Sequence, residues 1–152
     1  MKRTIKSESG RSMVEMLGVL AIIGVLSIGG IAGYTMAMNR FRANEVVDMG
    51  NKYAALIFAA NQTALARTGA ELTTIPTVKD MGLTTGSTVS GNNLPGGGSV
   101  SVADTDAITD DSVTVTLTFP TEGVCEAGAN TLGEAVGECA GDSTFDHVFR
   151  QS

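Results

Sequence analysis

Few side chains in this sequence are of a type that does chemistry, and their spacing narrows the choice. Glu15 stands at the threshold of a long apolar run, where a carboxylate has no evident solvent. At the centre of a membrane helix such a group costs about 2.5–3.5 kcal/mol, less near an end, so it needs a partner. Arg11, four residues earlier, is placed to reach the interface instead, and the partner is expected on another chain. Cys125 and Cys139 are the only cysteines, so one intramolecular disulfide is open to the chain in an oxidising compartment. Asp104, Asp106, Asp110 and Asp111 suggest calcium, but the spacing lacks the central glycine and terminal glutamate of an EF-hand, and a solvated loop is expected. His147, the sole histidine, cannot complete a zinc set with two oxidised cysteines, nor a nucleophile–base pair. Gly96, Gly97 and Gly98 precede a strand rather than open a helix, so they form no phosphate loop. No catalytic residue, metal or cofactor is expected, and the chain reads as something other than an enzyme.

The elements that must position these residues begin with the N-terminus. Lys2, Arg3 and Lys6 make a short basic head, and residues 16–39 are 24 uncharged, mostly apolar residues. As helix that stretch spans about 36 Å, enough to cross the hydrocarbon core. The basic head would stay cytoplasmic, placing everything beyond about residue 40 on the far, oxidising side. A cleavable signal with a small-residue site near Gly30 and Ala32, or an ordinary signal anchor, fits the apolarity but not Glu15. Gly29 and Gly33 form a GxxxG spacing, read equally as close helix packing or as a place for local helix melting. A net charge of −6 with 5% aromatics and no Trp excludes a nucleic-acid surface.

Beyond residue 40 the helix is expected to continue to about residue 67, stopped at Gly69. Tyr34, Met38, Phe41, Met49, Tyr53, Leu56 and Ala60 recur at three- and four-residue steps, a stripe expected to pack against the head. Residues 71–95 read as a loop with one helical turn after Pro76. Residues 99–102 and 113–119 read as strands, the second alternating Val, Val, Leu and Phe with Thr. Residues 104–111 connect these two, and residues 145–149 form a last strand. Thr131 and Glu134 suggest a capping box. The expected fold is α+β: a long N-terminal helix, membrane-inserted then amphipathic, on a small antiparallel sheet with a C-terminal disulfide loop.

The stretch Gly10, Arg11, Ser12, Met13, Val14, Glu15 followed by the apolar run resembles the start of a type IV prepilin, and the later order of Gly-Gly turn, strand, Phe-containing strand and short segment bearing Cys125 resembles the type IVb major pilins. The family pattern is a basic leader ending in Gly, then a mature chain with Glu at its fifth position. Counted from Arg11, Glu15 is the fifth and Tyr34 the twenty-fourth, where the family often has Tyr. Arg11 replaces the usual Phe, Met or Leu, and Ala32 replaces a frequent Pro. The resemblance implies a leader of residues 1–10 that a prepilin peptidase cuts between Gly10 and Arg11, with N-methylation of Arg11. It implies a helix of residues 11–67, whose residues 11–39 serve as transmembrane and assembly segment, and a head of residues 68–152. Glu15 would pair with the N-terminal amine of a neighbouring copy. The implied partners are other copies in a helical homopolymer, the peptidase, an inner-membrane assembly platform and, before assembly, membrane lipid. The precursor would sit in the inner membrane with its head in the periplasm, and the assembled pilus would be extracellular. A pseudopilin of a type II secretion system is the alternative with the same parts, and a secreted binding protein the alternative from another class.

Overall fold

A computed structural model describes residues 9–84, 91–109, 111–134, 139, 141 and 143–150, with side chains from residue 13 onward. Helix α1 runs Ser9–Thr68; strands β1 (Ser99–Ser101), β2 (Ser112–Thr118) and β3 (Thr144–Arg150) and helix α2 (Glu122–Leu132) follow. The chain divides into two compact units, Met1–Met38 and Asn39–Ser152.

The described residues of the first unit are helical throughout, the form in which a segment satisfies its N–H and C=O groups within itself, as hydrocarbon surroundings would require. Two of its hydroxyl side chains follow the same rule: Ser27 donates to the Ile23 carbonyl at 2.7 Å and Thr35 to the Ala32 carbonyl at 2.9 Å. Residues 13–37 are all exposed.

In the second unit α1 buries one face and stops where a left-handed Gly69 donates its N–H to the Leu65 carbonyl. The buried face is Ala43, Val46, Val47, Gly50, Tyr53, Ala54, Ile57, Phe58 and Asn61. This corrects the expected stripe. Tyr53 belongs to it and Met38, Met49 and Ala60 are half-buried, but Phe41 and Leu56 are exposed, as is Tyr34 in the first unit. The true face is rotated by roughly a third of a turn at 100° per residue. The reason is space: a Cβ on Gly50 would come within 2.8 Å of Leu117 Cδ2 and 3.3 Å of the Phe149 ring. The sheet approaches α1 over its small residues, not its large ones.

The sheet order is β1-β2-β3, antiparallel throughout, with Val100 opposite Leu117 and Val115 opposite His147. Strict alternation on β2 turns Val113, Val115 and Leu117 inward, all fully buried, while Thr114, Thr116 and Thr118 face outward. Thr116 donates to Asp146 across the strands at 2.6 Å. The β1–β2 connection, expected as a plain loop, holds a short 3-10 turn, Thr105–Ala107, capped by Asp104, which accepts from the Ala107 N–H at 3.1 Å. Asp110 lies outside the described residues.

Two elements differ from expectation after Pro120. The segment bearing the first cysteine is a full helix, α2, with Val124, Cys125, Gly128 and Ala129 buried. Gly128 admits the Phe119 ring, which would lie 2.6 Å from an added Cβ. The capping box at Thr131 and Glu134 is therefore not a helix start. Those residues sit where α2 ends, at Gly133 in the left-handed conformation, and Thr131 donates to its own helix at the Ala127 carbonyl. The Cys125–Cys139 disulfide is formed with both cysteines buried, tying α2 to the segment that leads into β3. Closing a loop of this size is worth about 3 kcal/mol in the chain-entropy model.

The returning loop is fastened to α1 at two points. Tyr53 Oη donates to the Pro76 carbonyl at 2.8 Å, and Asn61, 1% exposed, accepts the Leu72 N–H at 3.0 Å. After Pro76 the expected single turn forms, with Met81 N–H bonded to the Thr77 carbonyl. Asp80 accepts from both the hydroxyl and the N–H of Thr77, which hold its carboxyl below the ordinary carboxylate range.

Candidate functional site

The candidate site is the N-terminal part of α1. Apolar side chains lie on every side of it: Met13 is 72% exposed, Leu17 67%, Val25 73% and Ile28 74%, so no face is covered. A helix apolar all round is stable only where lipid or other helices surround it. Each such side chain removed from water contributes about 1.5–3 kcal/mol, so the segment carries a large drive toward burial. By length and composition this helix could cross a membrane.

Glu15 is exposed on this segment and is the one charged side chain among residues 13–39. Among the described residues it has neither an ion pair nor a hydrogen bond. The other polar side chains near the middle of the segment, Ser27 and Thr35, are satisfied by their own backbone. The backbone of Gly10 and Arg11 lies within α1; the Arg11 side chain and the leader, residues 1–8, lie outside the described residues. Glu15 and the Gly10–Arg11 bond thus share one helical segment, whereas Cys125 and Cys139 belong to the second unit. Gly29, Gly30 and Gly33 continue the helix, and nothing lies within 4 Å of a Cβ built on any of them. Their faces are open for another helix to approach.

The second unit holds the remaining chemistry-bearing residues. His147 Nδ1 is 2.7 Å from Glu134 Oε1, and its ring meets Phe149 edge-on, so it locks β3 to the end of α2. Among the described residues no group of three His, Cys, Asp or Glu side chains is placed to hold a metal.

Sequence reasoning missed a second uncovered apolar surface. A shallow groove of about 560 Å³ runs along the C-terminal end of α1, lined chiefly by Leu56, Ala59, Ala60, Ala64, Leu72 and Met81. Its signal was present in the spacing of Leu56 and Ala60, which were assigned to the core instead. No protein-family model, curated protein or solved structure matches this chain.

Proposed function

We propose that this chain is a structural subunit of a type IV pilus. It is made as a membrane-anchored precursor, cut after Gly10, and polymerised through the apolar part of its N-terminal helix. The head, released to the far side of the membrane, forms the outside of the fibre and is held by the Cys125–Cys139 bond.

The observation that carries this reading is Glu15: a lone carboxylate without a partner among the described residues, on the part of α1 that has no covered face. In the monomer that group is destabilising; beside the freshly cut amine of a neighbour it gains an ion pair in low dielectric. Such a pair contributes little net stability but penalises every register that leaves a charge unpaired, and so fixes how copies align. Covering the surrounding apolar side chains supplies the drive, and Glu15 supplies the alignment.

Intact mass and N-terminal sequencing of the cell-associated protein test the processing step. A mature chain beginning at Arg11 with an added methyl group is expected, and a start near Gly33 would sink the reading. Sheared surface fibres containing this chain exclude the short periplasmic piston of a pseudopilin. Glu15→Ala should leave insertion and cleavage intact while fibre yield falls more than about tenfold, the equivalent of ~1.4 kcal/mol of assembly free energy. Normal fibres from that variant refute the pairing.

A further inference from the structure

The three-stranded sheet has two edges, and among the described residues one of them is covered. Beside β1, the Asn92 carbonyl accepts the Val100 N–H at 3.0 Å, the Leu94 N–H donates to the Gly98 carbonyl at 3.0 Å, and Asn93 bridges Ser99. β3 forms the other edge and is paired along one side, by β2. The Ser143 carbonyl accepts the Phe119 N–H at 2.8 Å, so by alternation Phe145, His147 and Phe149 are the residues that exchange bonds with β2. The N–H and C=O groups of Asp146, Val148 and Arg150 therefore point away from β2, and among the described residues they meet no other strand. An open row of this kind is a template for a further strand. We infer that it pairs with the same row of a second copy, β3 against β3, antiparallel about a two-fold axis at Val148.

Charge selects this occupant and this register. Charged side chains on an edge strand usually turn a second strand away. Here the two charges on the exposed face of β3 have opposite sign, and they stand two residues before and two residues after Val148. Centred on Val148, the pairing sets Asp146 of each copy opposite Arg150 of the other, and lays Val148, 45% exposed, beside its own counterpart. Opposite charges facing each other across strands are favourable, and like charges are not. Centred on Asp146, the pairing would oppose two carboxylates; centred on His147, it would set Asp146 opposite Val148 and match neither charge. Asp146 also accepts from Thr116, which holds its carboxylate on this face of the sheet. The residues whose charges match are the same ones whose backbone groups point outward, so each matched pair also exchanges its main-chain bonds.

The same surface serves both copies, so the contact closes on itself and joins two heads only. It is distinct from the open, propagating contact that a fibre needs. It involves the head alone and does not rest on the pilus reading.

Cysteine substitutions along β3, made in the full chain in detergent micelles, test this. Asp146, Val148 and Arg150 are all exposed, and each is replaced by Cys and oxidised separately. Cys125 and Cys139 are buried and already bonded to each other. Association through the apolar segment brings all three variants together equally, so the comparison isolates the edge. Facing residues of a bonded antiparallel pair lie about 5.5 Å apart at Cα, within disulfide reach, and position 148 alone faces itself. Positions 146 and 150 lie about 14 Å from their own counterparts. Val148→Cys should therefore form linked dimers at least about tenfold faster than Asp146→Cys or Arg150→Cys. A mixture of the last two variants should link one chain to the other, since that pair keeps one Asp146–Arg150 contact. Equal rates at the three positions, faster self-linking at 146 or 150, or no link in the mixture overturns the inference. Adding Arg150→Asp to Val148→Cys sets like charges opposite each other and should slow linking about tenfold; an unchanged rate overturns it equally.

Discussion

Residues 13–38 and residues 39–68 belong to one helix, yet their side chains meet different surroundings. In the first stretch apolar residues point in every direction and none is buried; in the second, one face is buried against a sheet and the rest is polar or groove. The same residue types occur in both, so the contrast isolates what burial adds to an identical local structure. Ile, Gly and Tyr each occur in both a covered site and an open one, and matched substitutions can separate the two. Hydrogen exchange at the β2 amides, with the full chain in detergent micelles, reports the stability of the head in each case.

The largest difference is expected for isoleucine. Ile57 is fully buried, and Ile57→Ala should lower head stability by about 3 kcal/mol, combining lost transfer energy with the cavity left behind. Ile28 is 74% exposed, and Ile28→Ala should leave β2 exchange unchanged. Equal effects from the two variants would mean that the stretches fold as one cooperative unit. A smaller difference is expected for glycine. Gly50→Leu drives a side chain into Leu117 and Phe149 and should destabilise the head by about 2 kcal/mol, the overpacking range. Gly29→Leu meets nothing within 4 Å and should spare the head, while bulk on that open face should hinder close helix approach in the fibre.

These pairs also explain what could be read from the sequence. β2 was legible because Val, Thr, Val, Thr, Leu, Thr states both its period and its inward face. The apolar segment and its odd acid were legible because a long charge-free run, and the one carboxylate at its edge, are visible from residue types alone. The inward face of α1 was not. It mixes Val46, Val47, Tyr53, Ile57 and Phe58 with Ala43, Gly50 and Ala54, and the small residues, which carry little hydrophobic signal, break up the apolar spacing of that face. The visible stripe of Phe41, Leu56 and Ala60 lies outside the core: Leu56 and Ala60 line the open groove, and Phe41 is exposed. Helix α2 was missed on similar grounds: its buried positions include Ala129 and Gly128, the latter leaving room for the Phe119 ring. Of the candidate site, Glu15 was visible as a chemical anomaly, whereas the open groove required knowing which face the sheet had already taken.

The smallest difference is expected for tyrosine, and it carries a pH signature. Tyr53 is fully buried and its hydroxyl donates to the Pro76 carbonyl, so Tyr53→Phe should cost about 1 kcal/mol at neutral pH. Tyr34 is 66% exposed, and Tyr34→Phe should change nothing in the head. Burial, with a smaller contribution from the Asp80 carboxylate, pushes the Tyr53 phenol up to about 12, against about 10 in an unfolded chain. Because the folded state holds this proton more tightly, the associated stability is whole below pH 10 and is lost as pH rises from about 10 toward 12. Stability of the parent head should therefore fall through that window, and Tyr53→Phe should remove that part of the fall. The parent's advantage at pH 7 should shrink as pH rises through that window and be gone before its upper end. Parallel curves would show that the phenol ionises as freely in the folded head as in the unfolded chain, and that the bond to Pro76 does not tie the returning loop to α1.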